Sequence, residues 1–159
     1  MIRLAKREAQ ASFGKDGIYL EPFVDQARHI EVQIIGDGNG TVLVLGEREC
    51  SIQRRRQKLI EEAPAPGLSA AQREEVHEYA RRLGLQLGYR SLGTVEFLLD
   101  PQGRFYFIEV NPRIQVEHPV TELITGLDLV EQMIRVAFGE KLPISQADVG
   151  IDGWAMECR

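Results

Sequence analysis

Thr94-Val-Glu-Phe-Leu-Leu-Asp-Pro-Gln-Gly-Arg-Phe-Tyr-Phe-Ile-Glu-Val-Asn-Pro-Arg113 reads as two strands, residues 94–100 and 104–111, joined by Pro101-Gln102-Gly103. Whether Gln102-Gly103 makes a two-residue turn or residues 101–104 a four-residue one, Glu96 falls directly opposite Glu109. Opposed side chains of an antiparallel pair have Cβ atoms about 4.5–5.5 Å apart, where like charges repel. Asn111 lies two residues beyond Glu109 and points to the same face. Two carboxylates and an amide therefore converge at one end of a mostly apolar hairpin. Such a pair needs a counter-ion, a shared proton or solvent. Hard oxygen donors, few in number and with room for phosphate, suit Mg2+ or Mn2+. Glu96, Glu109 and Asn111 are thus the candidate metal ligands. A general acid–base pair and a simply solvated face are the other readings. Asn111 favours the metal over the acid–base pair, because an amide adds nothing to proton transfer.

Downstream the chain runs Pro112-Arg113-Ile114-Gln115-Val116-Glu117-His118-Pro119. If it stays extended, Arg113, Gln115 and Glu117 share one side. The planar fork of Arg113 suits an oxyanion such as carbonate or phosphate. Glu117 serves as a base only if something holds it near that anion. The bland alternative is a surface ion pair.

Working outward, residues 3–11 read as a short helix and residues 18–24 as a short strand. Residues 29–35 alternate, with Ile30, Val32 and Ile34 on one face and Glu31 and Gln33 on the other, the pattern of a half-buried strand. Gly36-Asp-Gly-Asn-Gly40 is a hairpin turn into a return strand at 41–46. It is not a phosphate loop, because no Gly-Lys-Ser/Thr follows. Residues 47–58 are dense in charge and lack periodicity. Ser69-Ala-Ala-Gln72 is a capping box that opens a helix to about Leu87, with Val76, Tyr79, Ala80, Leu83 and Leu87 facing inward. A last helix covers about residues 128–138, with Val130, Met133, Ile134, Ala137 and Phe138 inward, and residues 154–159 are strand-like. The fold class is α+β, rich in antiparallel hairpins.

The chain has 159 residues with 19 Lys+Arg against 24 Asp+Glu, a net charge of −5. That acidic balance, with no aromatic platform beside Arg54-Arg55-Arg56, speaks against nucleic acid. No apolar run approaches the roughly 18–20 residues of a membrane span. Residues 1–8 lack an apolar signal core. Cys50 and Cys158 form no disulfide framework and no zinc spacing, so a reducing compartment is expected: the cytoplasm, or the mitochondrial matrix of a eukaryote. Cys50 reads as a small buried residue, His77 as a surface residue, and His118 as shaping the turn before Pro119.

Glu109-Val-Asn-Pro-Arg-Ile-Gln-Val-Glu-His-Pro-Val-Thr-Glu122 resembles the signature of biotin carboxylase, an ATP-grasp enzyme. Three further blocks resemble the same family in the right order: Tyr19 to Val24 with Arg28 to Gln33, Glu47 to Lys58 with Glu61 to Pro66, and Ala155 to Arg159. The resemblance implies a partial ATP-grasp fold, an antiparallel sheet with flanking helices. Residues 1–159 would be the C-terminal part of that domain, with 1–46 the end of a small lid lobe and 47–159 the catalytic core lobe. The glycine-rich loop and N-terminal lobe of the family would precede it, so activity is not expected of the fragment alone.

The resemblance also implies roles. Glu96 and Glu109, with Asn111 assisting, would hold Mg2+ or Mn2+ on the ATP phosphates. Glu21 and Val24 would meet the adenine, and His29 and Gln53 would lie along the nucleotide. Arg56, where many members have His, would approach its phosphates. Lys58, Arg113 and the Val116 backbone would bind bicarbonate, with Gln115 supporting them and Glu117 deprotonating it. Arg159 would face the ureido oxygen of biotin. The implied reaction is ATP- and bicarbonate-dependent carboxylation of biotin through carboxyphosphate. Implied partners are a biotin carboxyl carrier protein or domain, a carboxyltransferase and further copies in a homo-oligomer. A carbamoyl-phosphate synthetase-like ATP-grasp enzyme shares only Glu-x-Asn-Pro-Arg. An inert nucleotide-binding or assembly module is the remaining alternative.

Overall fold

The computed structural model describes residues 1–159. Strands β1 (Arg28–Asp37), β2 (Val42–Arg54), β3 (Gln57–Ala63), β4 (Arg90–Leu99), β5 (Phe105–Asn111) and β6 (Ala155–Cys158) form one six-stranded sheet in the order β5-β4-β1-β2-β3-β6. Every pairing is antiparallel. Helices α1 (Ile2–Phe13), α2 (Ala70–Gln86), α3 (His118–Thr125) and α4 (Leu129–Ala137) complete the α+β arrangement. No helix is long and apolar enough to cross a membrane.

β1 is central, and both of its faces are covered. On one face Val32, Ile34, Val44, Val95 and Phe97 pack under Val76 and Ala80 of α2. The Ser69–Gln72 capping box forms and fixes the start of that helix. Gly84 allows close approach: a Cβ there would lie 2.9 Å from Val42 Cγ1. On the other face Ile35, Leu43, Leu45 and Leu92 pack against Leu129 and Val136 of α4. Glu31 and Gln33, read as a solvent face, are instead fully buried on this second side.

A bulge in β2 decides which charges meet that buried polar patch. Ile34 pairs with Val44 but Val32 pairs with Glu47, so Leu45 and Gly46 both oppose Gln33. Gly46 sits at φ 94°, the left-handed conformation such a bulge favours. The extra residue inverts the alternation. Glu47 turns toward α2, where Arg73 Nε and His77 Nε2 meet it at 2.7 and 2.5 Å. Arg48 turns to the opposite face, opposite Glu31.

The β4–β5 hairpin differs from expectation near its turn. Leu99 pairs with Phe105 and Phe97 with Phe107, so the loop is one residue out from either predicted turn. Ile108 is extra on β5, and this bulge restores the offset: Glu96 does pair with Glu109, and Thr94 with Asn111.

Several other expectations are corrected. Residues 18–24 are irregular, because no strand lies beside them to accept backbone hydrogen bonds. The charged stretch 47–58 is the second half of β2 and the start of β3. Arg55 and Arg56 form its two-residue turn, both at positive φ (52° and 63°), a geometry that usually selects Asn-Gly. α3 was not anticipated; Pro119 near its first turn is well placed to start it. In α4 the buried residues are Leu129 and Val136, whereas Phe138 is 83% exposed. Leu87 is exposed as well. The boundary expected at residue 46 coincides with no break in the sheet, since β2 runs across it and β1 lies at the centre.

His77, expected at the surface, clamps α2 to the sheet through Glu47. Burial pushes the Glu47 carboxyl up, but the His77 and Arg73 contacts outweigh it and hold it below its ordinary 4.5. A depressed carboxylate stabilises the fold above its unfolded value and loses that contribution as the pH falls. Glu47→Gln is therefore expected to lose about 2 kcal/mol at pH 7. The gap from the unsubstituted protein should narrow as the pH drops below 4.5. Urea unfolding at a series of pH values checks this; a gap that widens in acid would contradict it.

Candidate active site

The polar half of the second sheet face opens into a cleft of about 580 Å3. Its walls carry His29, Lys58, Glu96, Glu109, Glu117 and Arg159. Gln53, Arg56, Asn111, Arg113, Gln115 and Val116 border it too. All the anticipated site residues except Glu21 and Val24 are thus brought together. Glu21 is exposed in the irregular stretch before β1, and Val24 borders a separate groove with Asp100 and Tyr106.

Glu96 is buried and heavily solvated by protein. His29 Nε2 lies 2.7 Å from its Oε2, and Asn111 Nδ2 and Gln115 Nε2 donate to its Oε1 at 2.7 and 3.0 Å. Gln53 contacts the far ring nitrogen of His29 at 2.8 Å. Burial pushes the Glu96 carboxyl up; the His29 hydrogen bond and the charge of Lys58 outweigh it and hold it at about 2. Glu109, across the strand pair, is exposed and accepts only from Asn111 Nδ2 at 3.3 Å. The two acids thus face each other with Glu109 lacking any cation. Their carboxylate oxygens, with the Asn111 amide oxygen, are a donor set of the kind that fits Mg2+ or Mn2+, with Glu96 and Asn111 exchanging present hydrogen bonds for the ion. His29, Glu31 and Glu96 also converge, but Glu31 is already paired with Lys58 and Arg48.

Beside the acids runs a row of alternating charges. Glu61 meets Arg159 at 2.6 Å, Arg159 meets Glu117 at 2.8 Å, and Glu117 meets Lys58. Lys58 in turn meets Glu31, which meets Arg48 at 3.3 Å. Burial raises the Glu117 carboxyl, but the Lys58 hydrogen bond and charge bring it below the ordinary range. Burial disfavours the charged form of Lys58, yet Glu31 and Glu117 raise it well above normal. By contrast Arg56 and Arg113 have no carboxylate partner, and Arg113 bonds only the Ile114 carbonyl and Asn111 Oδ1. Two free guanidinium groups therefore face the cleft, the groups an anionic ligand would seek.

Glu31, Arg48 and Glu61 were missed by sequence reading. Arg48 is fully buried and donates to Gln33 Oε1 at 2.6 Å, Thr121 Oγ1 at 2.9 Å and Gln115 Oε1 at 2.9 Å. It fixes Gln115, which fixes Glu96. The segment after Asn111 bends rather than extends, yet Gln115 and Glu117 end up buried and Arg113 exposed on one cleft. His118 closes that bend, its Nδ1 lying 2.8 Å from the Gln115 carbonyl. Cys50 is buried as expected, and burial pushes its thiol far up.

Residues 1–145 match the family described as the carbamoyl-phosphate synthase L chain, ATP binding domain. The chain belongs to that family. Within this ATP-grasp family it is similar to the propionyl-CoA carboxylase alpha chain of Ruegeria pomeroyi, 60% identical over 98% of this chain and 23% of that one. It is 54% identical to the biotin carboxylase of Pseudomonas aeruginosa over 99% of this chain and 35% of that protein. The biotin carboxylase domain dimer of Hydrogenobacter thermophilus 2-oxoglutarate carboxylase, solved with MgADP, ADP and bicarbonate, superposes with a TM-score of 0.93 at 49% identity. That match covers 99% of this chain and 35% of that one. The expected resemblance to biotin carboxylase and the expected fold class are borne out. The ATP-grasp chain spans between about a quarter and a third of the length of these curated relatives.

Proposed function

We propose that the cleft is the ATP, bicarbonate and biotin site of a biotin-dependent carboxylase, which carboxylates biotin by way of carboxyphosphate. The observation that carries this reading is the opposed pair Glu96 and Glu109 standing beside the row Lys58, Glu117, Arg159. Glu96 and Glu109, with Asn111, would hold the divalent ion. When bound, it neutralises charge on the triphosphate. Arg56 lies along the phosphates, with His29 and Gln53 beside the nucleotide. Glu21 and Val24, in the stretch before β1, would meet the adenine.

Bicarbonate oxygen attacks the γ-phosphorus as the bond to ADP breaks, a transfer that needs positioning and charge neutralisation more than covalent help. Lys58, Arg113 and the Val116 backbone hold the bicarbonate, and Gln115 supports them. Glu117 takes its proton. An anion that shares Lys58 with Glu117 weakens the hydrogen bond and charge that hold its carboxyl low, and so raises its basicity. Arg159 then stabilises negative charge on the ureido oxygen as biotin nitrogen attacks the carboxyl carbon of carboxyphosphate, the bond from that carbon to the phosphate oxygen breaks, and the departing phosphate takes the nitrogen's proton. A carrier for the biotin, a carboxyltransferase and a second copy of the enzyme complete the proposed assembly.

Biotin-dependent ATP cleavage by the complete enzyme tests this reading. Ammonia-dependent cleavage would indicate carbamoyl phosphate synthesis instead, and failure to bind ADP–Mg2+ would indicate an inert module. Arg159→Ala is expected to lower biotin carboxylation about 100-fold and to leave ATP affinity within about twofold. Equal loss of both would contradict the role given to Arg159.

A further inference from the structure

We propose that Glu61 is a positioning residue that holds the Arg159 guanidinium at the biotin end of the cleft. Glu61 is fully buried on β3, and its cross-strand neighbour on β6 is Glu157. The Arg159 backbone N–H donates to the Leu59 carbonyl at 2.9 Å, which ties the end of β6 to the same strand. From that anchor the side chain reaches two acids with one nitrogen, Nη2: Glu61 at 2.6 Å and Glu117 at 2.8 Å.

The two acids are not equivalent. Glu117 has a second cation, Lys58. Neither carboxylate oxygen of Glu61 accepts a hydrogen bond, so the ion pair with Arg159 is its sole compensation. A buried carboxylate stripped of its one cation is strongly disfavoured. Burial and the charges of Glu117 and Glu157 already push Glu61 upward, with Arg159 opposing them. When a ligand draws Glu117 away, Glu61 is therefore the acid that keeps its hold. It acts on biotin only through Arg159 and touches no other cation of the cleft.

This inference rests on the function proposed above, and two activities of the complete enzyme separate them. The first is bicarbonate-dependent ATP cleavage without biotin, and the second is carboxylation of free biotin. Glu61→Gln is expected to lower kcat/KM for biotin about 10-fold or more, as a loosened catalytic group would. Cleavage without biotin should stay within about threefold, because Glu117 retains Lys58. Glu61→Asp keeps the charge with a shorter reach and should fall between the two. The Glu61 role is overturned if kcat/KM for biotin is unchanged in Glu61→Gln. It is also overturned if both activities and the melting temperature fall together, as they would for a merely structural acid. Absence of biotin dependence in the unsubstituted enzyme overturns both readings.

Discussion

Replacing Arg48 with methionine is expected to lower the unfolding free energy by about 3–5 kcal/mol. Methionine fills much of the same space, so packing changes little. What is lost is one of the two cations of the fully buried Glu31, which keeps only Lys58, and the donors for Gln33, Thr121 and Gln115. Three buried polar groups lose their donor and a buried acid loses one of its two cations, which is why the effect exceeds that of a surface pair. Lysine is not a sufficient replacement. It is a point charge, whereas Arg48 spreads its hydrogen bonds over Nη1 and Nη2 as a planar fork. Combining Arg48→Met with Glu31→Gln should recover part of the loss, because the buried charge left with Lys58 alone is gone. Urea unfolding of the single and double variants measures this coupling. A loss below about 1 kcal/mol in Arg48→Met would show that the network carries little stability.

Glu109→Gln is expected to separate function from stability. Glu109 is exposed and accepts a single bond of 3.3 Å. Its neutralisation also relieves repulsion with Glu96 opposite. Stability should thus change by no more than about 0.5 kcal/mol, while kcat/KM for metal–ATP falls about 100-fold. Glu96→Gln should lose both, because His29, Asn111, Gln115 and Lys58 all converge on that buried carboxylate. Steady-state kinetics over a range of Mg2+ concentrations, beside thermal unfolding, reads the two effects. Unchanged Mg2+ dependence in Glu109→Gln would remove Glu109 from the metal site.

Local signals with a short reach were legible in the sequence. Alternation, a turn and a fixed pairing were enough to set Glu96 against Glu109, although the loop was one residue out and the bulge at Ile108 restored the register. The Ser69–Gln72 capping box was equally readable. Tertiary placement was not. Glu31 and Gln33 have the pattern of a solvent face, and only the central position of β1 buries them. The β2–β3 hairpin turns on Arg55-Arg56, which carries none of the usual turn chemistry. The left-handed bulge at Gly46 aims Arg48 into the site, and one glycine in a strand does not announce it. Family resemblance supplied Lys58 and Arg159, which spacing alone left as a basic loop and a terminal residue; Arg48 and Glu61 needed coordinates.

Glu96 and Glu109 are proposed to grip one divalent ion between them. Titration of Mn2+ into the ADP-saturated enzyme, with free Mn2+ counted by electron paramagnetic resonance, tests it most directly. Affinity should drop at least about 10-fold in Glu109→Gln and again in the double variant with Glu96→Gln. Equal Mn2+ affinity in all three proteins would contradict it.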